Sequence, residues 1–94
     1  MVESSIKPLV VITGISGYIG LYVVRDFLQD GNFRVRGTIR GKNEAKIKPI
    51  QEAVGEALFE QLEIVEADLL NADSLALAIQ GATYVVHTAS PFPV

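Results

Sequence analysis

The sequence predicts a doubly wound α/β fold, a parallel sheet with helices on both faces. Short β-branched runs alternate with amphipathic helical stretches along the chain, and that alternation builds parallel sheets through right-handed crossovers. The first such run passes into the first helical stretch through Gly14, Gly17 and Gly20. The composition is globular, with 49% hydrophobic residues in a chain of 94, enough for one small core.

Leu9, Val10, Val11, Ile12 and Thr13 form an apolar run ending at a glycine, the pattern of a strand buried on both faces. Between residues 18 and 30 the apolar positions are Ile19, Val23, Val24, Phe27 and Leu28. That spacing gives a helix with one apolar face. Gly31 and Asn32 close it, glycine taking the left-handed position past a helix end. Over residues 33–39, Phe33, Val35, Gly37 and Ile39 alternate with Arg34, Arg36 and Thr38, which predicts a second strand. Asn43 can cap a helix opening at Glu44. Pro49 lies inside that stretch, where it removes a donor and clashes with the preceding turn. A kink is expected there, or a second helix with Pro49 in its first turn. Residues 62–67 predict a third strand. Asp73 or Ser74 can cap a helix whose apolar face is Leu75, Ala78 and Ile79 and which Gly81 ends. Residues 83–87 predict a fourth strand, in which Tyr84 is expected to pack.

The expected order is β-α-β-α-β-α-β, with the strands arranged 3-2-1-4. Ser90, Pro91, Phe92, Pro93 and Val94 follow the fourth strand without a covering helix. Residues 1–94 are therefore expected to be an incomplete domain of a protein that continues past Val94, with one sheet edge left uncovered.

Several function classes are disfavoured. A net charge of −3 is too mild and of the wrong sign for a nucleic-acid binder. With no cysteine and a single histidine, His87, disulfides and a zinc centre are excluded. The longest apolar run, residues 9–12, is far short of the ~20 residues of a membrane helix. No basic-then-apolar leader opens the chain. A soluble cytoplasmic protein is the expectation. Glu52, Glu56, Glu60, Glu63 and Glu66 read as solvated faces, not as an acid/base pair.

The chemistry-bearing signal is Gly14-x-x-Gly17-x-x-Gly20 between strand and helix. Gly14 permits the tight turn, Gly17 lets backbone approach a pyrophosphate, and Gly20 lets helix and strand pack closely, the division of labour in a Rossmann-type dinucleotide turn. The helix N-terminus adds free N–H groups and positive dipole density. The spacing differs from G-x-G-x-x-G, so position carries the argument. A turn with no ligand is the bland alternative. No Gly-Lys-Ser/Thr follows, so this is not an NTPase phosphate loop.

At the end of the second strand, about 20 residues past the turn, an acid would accept from the ribose 2′-hydroxyl of NAD. This sequence has Arg40 there, with Lys42 and Lys46 nearby and no acid between residues 33 and 43. A guanidinium suits a 2′-phosphate, so NADP is the expected cofactor, NAD being disfavoured, with Arg40 the main contact and Lys42 assisting. Arg34 and Arg36 read as a solvated strand edge. Asp68, after the third strand, either accepts from the adenine amino group or caps a turn.

Four motifs occur in order: the glycine turn with Tyr18 and Ile19, Val35-Arg36-Gly37-Thr38-Ile39-Arg40, Ala67-Asp68-Leu69, and Val86-His87-Thr88-Ala89-Ser90-Pro91. Together they resemble the extended short-chain dehydrogenase/reductases, nearest the dihydroflavonol reductase and cinnamoyl-CoA reductase branch. The resemblance covers nearly the whole chain from about Leu9. It implies that Gly14, Gly17 and Gly20 form the pyrophosphate turn, with Tyr18 and Ile19 offering backbone. It implies that Arg40 meets the 2′-phosphate, that Asp68 and Leu69 border adenine, and that Thr88, Ala89 and Ser90 run beneath the nicotinamide-side ribose. His87 is then a packed histidine at a strand end.

That family's chemistry needs a serine and a Tyr-x-x-x-Lys pair. Four residues beyond Tyr18, Tyr22 and Tyr84 stand Tyr22, Asp26 and Thr88, so no catalytic residue is named in this chain. Ser90 belongs to the cofactor segment. The implied parent is an NADP-dependent oxidoreductase acting on a carbonyl or alcohol carbon of a small molecule, and this chain alone is expected to be inactive. Two other readings stand beside it: an NAD-dependent sugar-nucleotide epimerase or dehydratase, and a non-catalytic nucleotide binder. Substrate and oligomeric state lie with residues not in this sequence.

Overall fold

β1 (Leu9–Thr13) is buried at all five positions, as a strand covered on both faces requires. In the computed structural model, which describes residues 7–15, 18–41, 44–68 and 70–88, it is the second strand in from one edge of a four-stranded sheet. The other strands are β2 (Arg34–Ile39), β3 (Leu62–Glu66) and β4 (Tyr84–His87). Their order is β3-β2-β1-β4 and every pairing is parallel. The predicted architecture and strand order are therefore observed. Thr13 pairs with His87, Ile12 with Gly37, and Ile39 with Glu66. All four carboxyl ends consequently reach one edge of the sheet.

Three helices cover one face. α1 (Tyr18–Asp30) turns Val24 and Leu28 onto the sheet, where they join Val10, Ile12, Val35 and Ile39 in the core. Gly31, with φ 80°, ends it, and Asp30 Oδ1 accepts from the Asn32 backbone N–H at 3.2 Å. Phe33 stands edge-on to Phe27 with ring centroids 4.9 Å apart, fastening the end of α1 to the start of β2.

α2 (Glu44–Val54) runs unbroken through Pro49, and no new helix begins there. The lost hydrogen bond is outweighed by packing, because Ile50 and Val54 are buried in the core and Ile47 packs against it. The second helix does exist, but it starts later: α3 (Glu56–Phe59) follows Gly55, whose φ of 89° breaks the chain direction. β3 ends one residue before the predicted limit. Ala67 still donates its N–H to the Ile39 carbonyl at 3.0 Å, so the segment stays tied to β2.

α4 (Ala72–Ala78) is capped by Asn71, not by Asp73 or Ser74. Asn71 Oδ1 accepts from the Ser74 N–H at 3.0 Å. Asp73 instead sits in the first turn, where its charge suits the helix dipole. α4 covers the second face, which Arg36 demonstrates. Arg36 Nε donates to Glu63 Oε1 at 2.8 Å, while Nη1 donates to the carbonyls of Ala78 at 2.8 Å and Gln80 at 2.9 Å. This corrects the solvated-edge reading of Arg36, whose side chain is only 17% exposed. The last carbonyls of a helix lack internal partners, and a guanidinium supplies both donors and the favoured positive charge. Arg34 is exposed, as expected, and donates to the Lys7 carbonyl at 2.9 Å.

Tyr84 is 55% exposed, against the expectation that it packs. It touches Phe33 edge-on, with centroids 6.1 Å apart. It lies on β4, which has no strand on its outer side among the described residues.

Candidate functional site

The crossovers of α1, α2 and α3 lie on one face and that of α4 on the other, so the winding direction switches between β1 and β4. Ligands of open α/β sheets bind outside the carboxyl ends of the strands at such a point. Of the residues singled out from the sequence, Gly14, Gly20, Arg40, Asp68 and Thr88 stand at that end of the sheet.

Gly14 leaves β1 with φ 73°, the left-handed region that glycine adopts without steric cost. Its N–H donates to Thr38 Oγ1 at 3.1 Å, and the next N–H, of Ile15, donates to the Thr38 carbonyl at 3.0 Å. The Ile15 side chain is fully buried over β2. A Cβ placed on Gly37 would lie 2.4 Å from Ile15 Cδ1, so Gly37 leaves the space that Ile15 occupies. Gly20, in the first turn of α1, lies against the same backbone. A Cβ there would stand 2.3 Å from the Gly14 carbonyl oxygen and 2.7 Å from Ile15 Cα. The opening amides of α1, at Tyr18 and Ile19, have no carbonyl partner one turn earlier within the helix. Ile19 is exposed. Gly17 lies outside the described residues, as do Lys42, Leu69, Ala89 and Ser90.

Arg40 follows β2 directly and is exposed. Gly41, with φ 73°, then turns the chain back towards α2. Lys46, in the first turns of α2, donates from Nζ to the Arg40 carbonyl. A second cation is thus held beside Arg40, at Lys46, which the sequence places near Arg40 together with Lys42.

Asp68 Oδ1 accepts from the Leu70 N–H at 2.9 Å, and the Asp68 N–H donates to Ser74 Oγ at 3.0 Å. Of its two open readings, the turn cap is visible. Across the switch point, Thr88 Oγ1 donates to the carbonyls of Thr13 and Gly14. His87 is exposed, not packed, with Nδ1 2.9 Å from the buried Thr13 Oγ1. These bonds join the ends of β1 and β4 directly beneath the turn. Among the described residues, no cluster of His, Cys, Asp or Glu could hold a metal, and no helix is long and apolar enough to cross a membrane.

A parallel sheet ordered β3-β2-β1-β4, with a glycine turn at its switch point, defines the opening portion of a Rossmann-type domain. Residues 10–93 match the NAD dependent epimerase/dehydratase family, and the chain belongs to it, that is, to the extended short-chain dehydrogenase/reductases. It is 40% identical over 83 residues to cinnamoyl-CoA reductase 2 of Arabidopsis thaliana, covering 88% of this chain and 24% of that protein. It is 40% identical over 89 residues to dihydroflavonol 4-reductase of Zea mays, covering 94% and 24%. The crystal structure of vestitone reductase from alfalfa (Medicago sativa) superposes with a TM-score of 0.72 at 35% identity, over 92% of this chain and 26% of that one. The chain thus spans about a quarter of the length of the curated relatives it matches.

Proposed function

We propose that this chain supplies the NADP-binding part of an oxidoreductase that moves hydride between NADPH and a carbonyl or alcohol carbon of a small molecule. Arg40 carries the reading. It stands where an NAD-selecting enzyme of this fold places an acid, and Lys46 is held against its carbonyl. Two cations at that point suit a 2′-phosphate, and the guanidinium can bind two of its oxygens.

The remaining residues fit the same ligand. At Gly20 and Gly37 there is no room for a Cβ, so the turn lies close on helix and strand. Gly14, Gly17 and Gly20 shape the pyrophosphate turn, with the amides at Tyr18 and Ile19 facing the phosphates. Asp68 and Leu69 border the adenine, Lys42 assists Arg40, and Thr88, Ala89 and Ser90 support the nicotinamide-side ribose. Bound nicotinamide would supply the hydride, and these residues bind and orient it. The relatives named above are reductases by their names, which supports this class. Arg40 argues against an NAD-retaining epimerase.

In this reading residues 1–94 are an incomplete domain, and further chain covers the outer side of β4. The protein works in the cytoplasm on a small molecule, not on nucleic acid or a membrane. The acid/base pair lies outside this sequence, because no Tyr-x-x-x-Lys occurs in it. The 94-residue chain alone is therefore expected to leave NADPH unoxidised with any aldehyde or ketone. A steady absorbance of the reduced nicotinamide would agree, and turnover would overturn it.

The cofactor assignment is tested in the full polypeptide by fluorescence titration with NADPH and NADH. Arg40→Ala is expected to weaken NADPH by about 10- to 100-fold, the range for a charge-assisted hydrogen bond to phosphate. NADH should change by less than roughly threefold, since it carries no 2′-phosphate. An equal loss for both nucleotides would refute the assignment.

A further inference from the structure

We infer that Thr38 is a positioning residue that fixes the pyrophosphate turn on β2, and so sets where that turn lies relative to Arg40. The inference rests on the dinucleotide reading given above. Thr38 is 2% exposed and uses both of its oxygens on the turn. Its hydroxyl accepts from Gly14 at 3.1 Å and its carbonyl accepts from Ile15 at 3.0 Å. The first two amides of the glycine turn therefore point at one residue of the neighbouring strand and not at a ligand. A phosphate has to be met by amides further along, and their place depends on how Gly14 and Ile15 are held.

Thr38 also lies in the strand that delivers Arg40, only two residues earlier. A strand advances about 3.3 Å per residue and does not stretch, so the Thr38 bonds fix the turn against the frame that carries the cation. A dinucleotide phosphate ester at the 2′ position touches both ends at once. If the turn shifts on β2, a ligand that needs the turn loses contacts, while one that needs only Arg40 does not.

The hydroxyl carries the inference, because a β-branched side chain alone would fill the same space. Thr38→Val keeps the shape and leaves the partly buried Gly14 N–H without its acceptor. Thr38→Ser keeps the acceptor and loses a methyl. Three probes separate the ends of the site in the full polypeptide. NADPH uses both ends, NADH uses the turn, and adenosine 2′-monophosphate uses the Arg40 end without a pyrophosphate.

Thr38→Val, and Thr38→Ala as a second variant without the hydroxyl, are expected to weaken NADPH and NADH alike, by about tenfold, the cost of one buried donor left unpaired. Adenosine 2′-monophosphate should bind within roughly twofold of wild type, and Thr38→Ser should restore both dinucleotides to within roughly threefold. A purely structural role would lower the melting temperature and weaken all three probes together, which overturns the inference. So does unchanged dinucleotide binding in the Val and Ala variants, or a Ser variant as weak as Val. If wild type binds NADH but not the 2′-monophosphate, the NADP assignment fails and Thr38 is still judged on NADH. Binding of neither dinucleotide by wild type overturns both.

Discussion

Gly20→Ala is expected to abolish dinucleotide binding and to lower the stability of the full polypeptide by at least about 2 kcal/mol. The added methyl would lie 2.3 Å from the Gly14 carbonyl oxygen, 2.7 Å from Ile15 Cα and 3.0 Å from the Gly14 carbonyl carbon. All three are backbone atoms, so no side chain can swing aside. The turn cannot retreat either, because Gly14 and Ile15 are bonded to Thr38. α1 would have to move away bodily, taking Val24 and Leu28 out of the core. Alanine favours a helix over glycine by about 1 kcal/mol, which is smaller than the cost of overlapping fixed backbone. A melting curve and an NADPH titration check the result together. A variant that melts and binds like wild type would mean that α1 does not lie on the turn at Gly20.

Much of this architecture was legible because its signals are local. The burial of Leu9–Thr13, the helical spacing of Val24 and Leu28, and the alternation of Val35, Gly37 and Ile39 are periodic patterns. They fix which face each residue takes, and short crossovers then leave few strand orders. The glycine turn was legible for the same reason, since Gly14 and Gly20 answer steric demands at a fixed offset.

Part of what escaped the sequence depends on partners distant in the chain, and part on a choice among local alternatives. Arg36 looked like a solvated edge because the carbonyls it binds are 42 and 44 residues away. Nothing in residues 33–39 announces that a helix end will arrive there. At Pro49 local propensity argued for a kink or for a second helix. The burial of Ile50 and Val54 kept the helix whole. At α4 three residues within four positions, Asn71, Asp73 and Ser74, are all able caps. Ser74 is engaged with the Asp68 N–H as well as with Asn71, and that arrangement selects Asn71. Lys46 was legible as a nearby cation, but its bond to the Arg40 carbonyl, across the left-handed turn at Gly41, was not.

The contact between Ile15 and Gly37 yields the second large expected effect, and its form is non-additive. Gly37→Ala places a methyl 2.4 Å from Ile15 Cδ1, 2.8 Å from Cγ2 and 3.1 Å from Cγ1. Ile15 is fully buried and β-branched, so it has no open rotamer to take. The expected loss is about 1–3 kcal/mol, an overpacking cost that exceeds the roughly 0.5–1 kcal/mol gained by removing glycine from a strand. Ile15→Ala alone opens a cavity in the core and should cost about 2–5 kcal/mol. The double variant removes all three clashing atoms and returns a methyl to the space they left. It should therefore be no less stable than Ile15→Ala, a coupling of about 1–3 kcal/mol in a cycle of four denaturant melts. Because Ile15 belongs to the turn, both single variants should also weaken NADPH, and the double variant, though no less stable than Ile15→Ala, should not regain affinity: its turn has lost the side chain that seats it. Simple additivity of the two stability losses would show that Ile15 does not rest on Gly37. Recovery of NADPH affinity in the double variant would show that the turn is seated by its hydrogen bonds to Thr38 alone.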